Sequence, residues 1–286
     1  MDSLKACSYI ENSFLRELIT NENVTDISYN GDSIFYMDNV HGRQKSEIQI
    51  NSMQAKDFVR QIANLCEKQF SFQVTKLDVS FGRYRVNAVH QSIAKYQNED
   101  VVTFCVRIGS NKLRIDDKSG FLTDELSELF SYILKAKNSI VIGGQTGCGK
   151  TEFQKYLLTK MEENTRIIVI DNVLELDNLQ LNEDIDLNIW QANQEKDDTN
   201  IQSLIKNALR SNPDWIIAAE ARGEEMVDVL NSALTGHPII TTIHAFDCES
   251  MPNRMSRMVM MGNKKAEYDD VFLDISYHLR IYVYLK

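Results

Sequence analysis

The sequence predicts a chain in two parts, a smaller α+β domain followed by a larger α/β domain on a mostly parallel sheet. Three observations predict it. From about Thr123 onward, short apolar β-favouring runs alternate with amphipathic helical segments, the pattern that sets a parallel sheet between helices on both faces. Within that half, Gly144-Gln145-Thr146-Gly147-Cys148-Gly149-Lys150-Thr151 follows one such run and opens a helix. Upstream, helix and hairpin signals are mixed without the alternation, and a polar stretch ending in Gly120 separates the halves.

In chain order, Leu4, Cys7, Phe14 and Leu18 give a helical stripe. Residues 24–29 and 33–37 flank Asn30-Gly31, a hairpin signal because that turn needs positive φ. Residues 52–70 carry Phe58, Ile62, Leu65 and Cys66 at helical spacing, and 83–89 and 101–108 read as strands. The N-terminal domain is therefore assigned to residues 1–112, a linker to 113–120 and the larger domain to 121–286. That domain is expected to open with a helix at 123–135 and to place strands at 139–142, 166–170, 215–219 and 239–243. Thr199-x-x-Gln202 reads as a capping box for a helix carrying Ile201, Leu204, Ile205, Ala208 and Leu209, which Ser211-Asn212-Pro213 stops.

Composition narrows the function classes. With 286 residues, 43% hydrophobic and 25% charged, the chain is an ordinary globular one with material for a sizeable core. A net charge of −10 argues against a broad basic face for nucleic acid or anionic lipid, so no direct nucleic-acid contact is expected. No run of about 18 apolar residues is present to span a bilayer, and the N-terminus lacks the pattern of a secretory signal. The five cysteines are scattered and never form C-x-x-C, the usage of reduced intracellular thiols. A cytoplasmic location is expected.

The chemistry gathers around G-x-x-x-x-G-K-[ST]. Its glycines let backbone N–H groups wrap phosphates, Lys150 reaches the β and γ phosphates, and the Thr151 hydroxyl suits Mg²⁺, so ATP and Mg²⁺ are the expected cofactors. Such a site also needs acids for the metal and the attacking water. The run Ile167-Ile168-Val169-Ile170 leads into Asp171, with Glu175 one turn on, and Trp215-Ile216-Ile217-Ala218-Ala219 leads into Glu220. Strand ends are where such sheets collect ligands and catalytic groups. His237 enters the next strand and His244 leaves it. On residue chemistry alone, a histidine at a strand end is most often capped or packed.

Taken together, these segments resemble the secretion-type traffic ATPases, the hexameric motors of type IV and type II secretion, type IV pili and archaella. The Walker A segment is 144–151, and the acidic box reads Ile170-Asp171-Asn172-Val173-Leu174-Glu175-Leu176. The Walker B segment runs from Leu209-Arg210 through Pro213-Asp214 to Glu220-Ala221-Arg222. The histidine box is Thr235-Gly236-His237 with Thr241-Thr242-Ile243-His244-Ala245. Weaker likeness extends upstream to residues 82–89 and 103–108. The wording of the boxes, and the absence of a tetracysteine motif, place the chain nearest the type IV secretion and tight-adherence pilus branches.

The resemblance implies a RecA-like motor domain behind a small N-terminal domain. It implies Glu175 as the acid that activates water, Glu220 as the Walker B acid and a metal-supporting group, and His244 beside the γ-phosphate. It places the loop residues Gly144 to Thr151 at the nucleotide, with Asp171, Arg222 and His237 around them. Arg85 and Arg107 match N-terminal-domain arginines that reach the nucleotide as the domains close; the alternative for each is a surface ion pair on a strand. A homohexamer on an inner-membrane component of a secretion or pilus machine follows, with peripheral membrane association through that partner. Four departures stand out: Asp171 for glutamate, Asn172 for aspartate, Ala219 for glycine, and Glu249 where an arginine often stands. Asn172 and Ala219 motivate a second reading, a nucleotide-gated ring scaffold with little turnover. A third, a P-loop small-molecule kinase, lacks a recognisable acceptor-site lid.

Overall fold

The computed structural model describes residues 3–109, 113–117, 119–172, 176, 179, 181–193 and 197–286. The chain divides into two compact units, Met1–Asn111 and Lys112–Lys286.

The first unit is a six-stranded antiparallel sheet with helices on one face. Its elements are α1 (Ser3–Glu11), α2 (Arg16–Thr20), β1 (Val24–Tyr29), β2 (Ile34–Asp38), β3 (Gly42–Lys45), α3 (Ser52–Leu65), β4 (Lys76–Phe81), β5 (Tyr84–Val89), β6 (Lys95–Tyr96), β7 (Glu99–Asp100) and β8 (Thr103–Ile108). The strand order is β3-β2-β1-β8-β5-β4, and β6 and β7 form a separate small hairpin. The expected N-terminal stripe is two helices, because the Ser13 hydroxyl donates to the Ile10 carbonyl at 2.7 Å and turns the chain. The hairpin is present, but Asn30 serves it through its side chain, accepting from the amides of Asp32 and Ser33, while Gly31 alone of the pair takes positive φ. Helix α3 opens on a capping box between Asn51 and Gln54. It buries Ala55, Phe58, Val59, Ile62 and Ala63, the i, i+3, i+4 spacing of one face, against Val79, Val86, Phe104 and Val106 of the sheet.

The opposite sheet face is polar. Asp26, Arg107 and Arg85 stand in register across β1, β8 and β5, each on the side turned away from the core.

The second unit contains α4 (Asp124–Lys135), β9 (Ile140–Gly144), α5 (Lys150–Thr159), β10 (Arg166–Asp171), β11 (Asp186–Gln191), α6 (Ile201–Leu209), β12 (Trp215–Ala218), α7 (Met226–Leu234), β13 (Ile239–His244), α8 (Ser250–Gly262), α9 (Tyr268–His278) and β14 (Ile281–Leu285). All its strand pairings are parallel, in the order β11-β10-β12-β13-β9-β14. The continuous apolar runs are buried on both faces. Ile140, Ile142, Ile167, Val169, Ile217 and Ile240 pack against α4 and α5, and their neighbours Val141, Ile168, Ile170, Ile216, Ile239 and Ile243 against α6 to α9. Each such side chain contributes about 1.5–3 kcal/mol when fully withdrawn from water, which fixes strand register and so aligns the carboxyl ends of the strands.

Two expectations shift. The N-cap of α6 is Asn200, whose side chain accepts from the Ser203 amide at 2.8 Å, so the box at Thr199 and Gln202 is one residue early. Starting the helix at Ile201 points Ile201, Ile205 and Ala208 into the core. The segment expected as a linker packs on the second unit: Ile115 is buried among the residues of α4 and α5, and Asp117 bonds both helices.

Candidate functional site

Parallel pairing brings the ends of β9, β10, β12 and β13 to one edge of the sheet, and the loop after β9 is the 144–151 segment. Gly147 and Gly149 adopt φ of 81° and 93°, conformations costly for any residue with a Cβ, and a Cβ at either would meet nothing within 4 Å. The backbone is thus bent over open space before α5 begins at Lys150, the form of a cradle for an anion at a helix N-terminus. Gly144 is needed for another reason. A Cβ there would lie 2.6 Å from the Leu285 carbonyl oxygen and 2.4 Å from the Cys148 sulfur.

Lys150 is 8% exposed, and its ammonium donates to the carbonyls of Gly144 at 2.9 Å and Gln145 at 2.7 Å. Burial pushes its pKa below the ordinary lysine value, against the opposing pull of Cys148 and Glu220. A desolvated cation at the mouth of a glycine cradle suits polyphosphate oxygens, so the residues present fit the expected nucleotide. Thr151 follows in the first turn of α5 and Thr146 lies in the loop. Among the described residues no cluster of three or more His, Cys, Asp or Glu could hold a metal alone. Mg²⁺ in phosphate sites takes most of its ligands from phosphates and water, and Thr151 and Glu220 are the protein groups suited to it.

Glu220 lies just past β12 and is held by two neighbours. Arg222 Nη2 donates to one carboxylate oxygen at 2.6 Å, and His244 Nε2 lies 3.1 Å from the other. His244 Nδ1 is 3.5 Å from the Lys150 ammonium. Lysine can only donate, so this contact is favourable with Nδ1 unprotonated; the Glu220 oxygen near Nε2 is buried and makes no hydrogen bond among the described residues. Lys150, Glu220, Arg222 and His244 therefore form one connected cluster from three sequence-distant segments. Thr242 secures it: its hydroxyl donates to the Ala219 carbonyl at 2.8 Å, and its own carbonyl accepts from the Ala221 amide. Sequence reasoning gave Thr242 no role, although its place two residues before His244 on a buried strand was visible.

The other expected residues are distributed. Asp171 ends β10, buried, on the same edge but three strands from β9, about 14 Å across at ~4.8 Å per strand. Glu175 lies outside the described residues. The Asn172 side-chain oxygen is buried without a hydrogen-bond partner. His237 precedes β13, at the opposite end of the sheet from Lys150, and bonds Thr235 at 3.1 Å. Within one chain it does not join the phosphate site, because parallel strands put their starts and ends on opposite edges. In the first unit, Arg85 is bidentate on Asp78 at 3.0 and 2.8 Å, and Arg107 pairs with Asp26 at 3.2 Å. Both arginines thus take the ion-pair arrangement in this structure.

Comparison with known proteins bears on the family and the fold. An uncharacterised protein of Bacillus anthracis is 28% identical over 273 residues, 90% of this chain and 59% of that one. The type IV secretion system protein VirB11 of Brucella suis is 30% identical over 148 residues, 49% of this chain and 40% of its own length. This chain thus spans about half the length of these curated relatives. The solved ATPase DotB of Legionella pneumophila shares the fold, with a TM-score of 0.70 at 20% identity over 94% of this chain and 74% of that one. The six-stranded parallel unit accordingly has a RecA-like fold. A family model described as type II/IV secretion system protein matches residues 47–275, and the chain belongs to that family.

Proposed function

We propose that this chain is an ATP-hydrolysing motor subunit. It works as a homohexameric ring at the cytoplasmic face of the membrane and powers a type IV secretion, conjugation or pilus-like machine. The observation that carries the reading is the connected cluster of Lys150, Glu220, Arg222 and His244 at the mouth of the glycine cradle. When bound with Mg²⁺, ATP supplies a phosphoanhydride whose γ-phosphoryl can pass to water. The cradle amides and Lys150 hold the phosphate oxygens and offset the charge that grows on them. Glu220 stands between Arg222 and His244, placed to support the metal or orient water. Glu175 is assigned as the base that accepts the proton of the attacking water, and Asp171 as a further acid near the nucleotide. Arg107 and Arg85 are assigned to the phosphates from the first unit.

The ring is assigned to dock on an inner-membrane partner protein; among the described residues no helix is long and apolar enough to cross a membrane. Steady-state ATPase activity of the full chain, lost in Lys150→Ala, tests the reading; equal activity in both sinks it. The orphaned oxygen of Asn172, where the family has aspartate, favours one second reading, a ring that binds ATP and assembles with little turnover. Nucleotide-dependent assembly without measurable phosphate release distinguishes it.

A further inference from the structure

A polar cluster outside the nucleotide site fastens residues 113–117 to the helix that carries Lys150 and Thr151. One carboxylate oxygen of Asp117 accepts from the Tyr156 hydroxyl at 2.9 Å and from the Ser127 hydroxyl at 3.0 Å. The Lys160 ammonium sits 2.5 Å from the other oxygen and 5.3 Å above the centre of the Tyr156 ring. Tyr156 is 1% exposed, so its hydroxyl is a buried group that needs partners, and Asp117 and Ser127 supply them. A second attachment lies toward the N-terminus. The Arg114 amide donates to Glu152 at 3.1 Å, and Glu152 is also held by the buried Lys155 at 2.8 Å. Between the two attachments Ile115 is buried.

The order of contacts agrees: Arg114 meets α5 at Glu152, and Asp117 meets Tyr156 about 6 Å and Lys160 about 12 Å further along the helix axis. The segment therefore lies along α5 in the same direction. Its end nearest the first unit meets α5 at Glu152, the residue after Thr151, and its far end is pinned one to two turns down the helix. A force on the chain between the units thus arrives at the phosphate-binding turn and is resisted at Asp117.

We propose that residues 113–117 are a strap that couples the connection between the two units to the P-loop helix, with Asp117 as the positioning residue that anchors it. The idea rests on the ATPase reading and adds the path by which nucleotide state and the first unit sense each other. Asp117 acts through Tyr156 and Lys160 and touches no reacting atom.

The test compares the full chain with Asp117→Ala, Asp117→Glu and Lys160→Met by turnover, nucleotide affinity, thermal unfolding and hydrogen exchange. In the parent, a non-hydrolysable ATP analogue slows exchange both in the 144–151 loop and in residues 113–117. Asp117→Ala keeps loop protection and analogue affinity within about twofold but loses protection of 113–117. Its kcat falls roughly tenfold, part of the ~10²-fold that a 1 Å misplacement of reacting groups costs. Lys160→Met behaves alike, and Asp117→Glu restores most of both. A merely structural anchor would lower Tm and leave kcat and the exchange pattern alone, and that outcome overturns the proposal. So does parent-like turnover in both Asp117→Ala and Lys160→Met, or an affinity loss as large as the kcat loss. A parent that binds no nucleotide defeats the ATPase reading itself, and the strap with it.

Discussion

The two units each present basic side chains expected to meet the same phosphates, and they hold them in opposite ways. Lys150 is 8% exposed, and backbone carbonyls and an imidazole are its hydrogen-bonding neighbours. The side chains of Arg107 and Arg85 are 48% and 30% exposed and rest on Asp26 and Asp78. A buried cation among neutral acceptors is an unspent charge, poised for a polyanion and costly to the empty protein. An exposed arginine on a carboxylate costs little to hold or release, since such pairs are worth about 0–1 kcal/mol. The first arrangement suits permanent binding. The second suits groups that engage and let go.

The contrast breaks most visibly at Lys150. Lys150→Ala removes at least two charge-assisted contacts to phosphate, so ATP affinity falls by roughly 10²-fold or more, read by calorimetry. Affinity equal to the parent's would erase the distinction between the units. Next in size, Glu220→Gln and Glu175→Gln each keep nucleotide binding and assembly but lose turnover by roughly 10²-fold, the scale for a positioned acid or base. A dead Asp171→Asn beside an active Glu175→Gln would move the base one turn along the acidic box.

Smaller effects sharpen the other side. Arg107→Ala binds ATP within several-fold of the parent yet loses turnover roughly tenfold or more, as for a charge that acts on the transition state, and Arg85→Ala follows with a smaller loss. A fragment of residues 113–286 keeps Ile115 and the Asp117 contacts, and it should bind nucleotide weakly and hydrolyse it poorly. Full activity from that fragment would make the arginines bystanders.

The smallest effect is on the empty protein. Because the folded-state pKa of Lys150 is lowered, the unfolded chain binds its proton more tightly, and the lysine destabilises the fold at neutral pH. That penalty is full below the lowered pKa and is relieved as pH rises through it toward the ordinary value of 10.5. Nucleotide-free Lys150→Met is therefore expected to be the more stable protein at pH 7, read as a higher Tm. The gap closes toward pH 10.5, and saturating MgATP reverses the order by stabilising the parent alone. Calorimetric scans across pH read both effects.

How legible the chain was depends on what each segment advertises. The strands bearing chemistry are central and buried on both faces, so their unbroken apolar runs and strand-end acids could be read directly. The strands that escaped notice speak more softly. Strand β4, Lys76-Leu77-Asp78-Val79-Ser80-Phe81, is half-buried and alternates strictly, and β11 is an edge strand with polar positions. Strand β14 is likewise an edge strand, with Tyr282 and Tyr284 only partly buried. His237 was drawn to the site by its motif, and only the direction of β13 shows that it stands at the far edge. Motifs name neighbours in sequence; pairing direction decides which of them meet. The cluster of Lys150, Glu220, Arg222 and His244 lay within reach of the sequence, whereas the role of Thr242 and the strap of 113–117 needed coordinates.

The pairing of β14 with β9 bears on how the molecule is made. Ile281 to Leu285 zip alongside Ile140 to Gly144, and the Leu285 carbonyl fills the space a side chain at Gly144 would need. Until the ribosome has delivered Ile281 to Leu285, β9 is an open edge, apolar on both faces, the kind of edge that recruits strands from other chains. A nascent chain stopped short of Ile281 would thus expose its phosphate-binding strand as an aggregation template, and completion of the nucleotide cradle waits on a strand synthesised well after the loop itself.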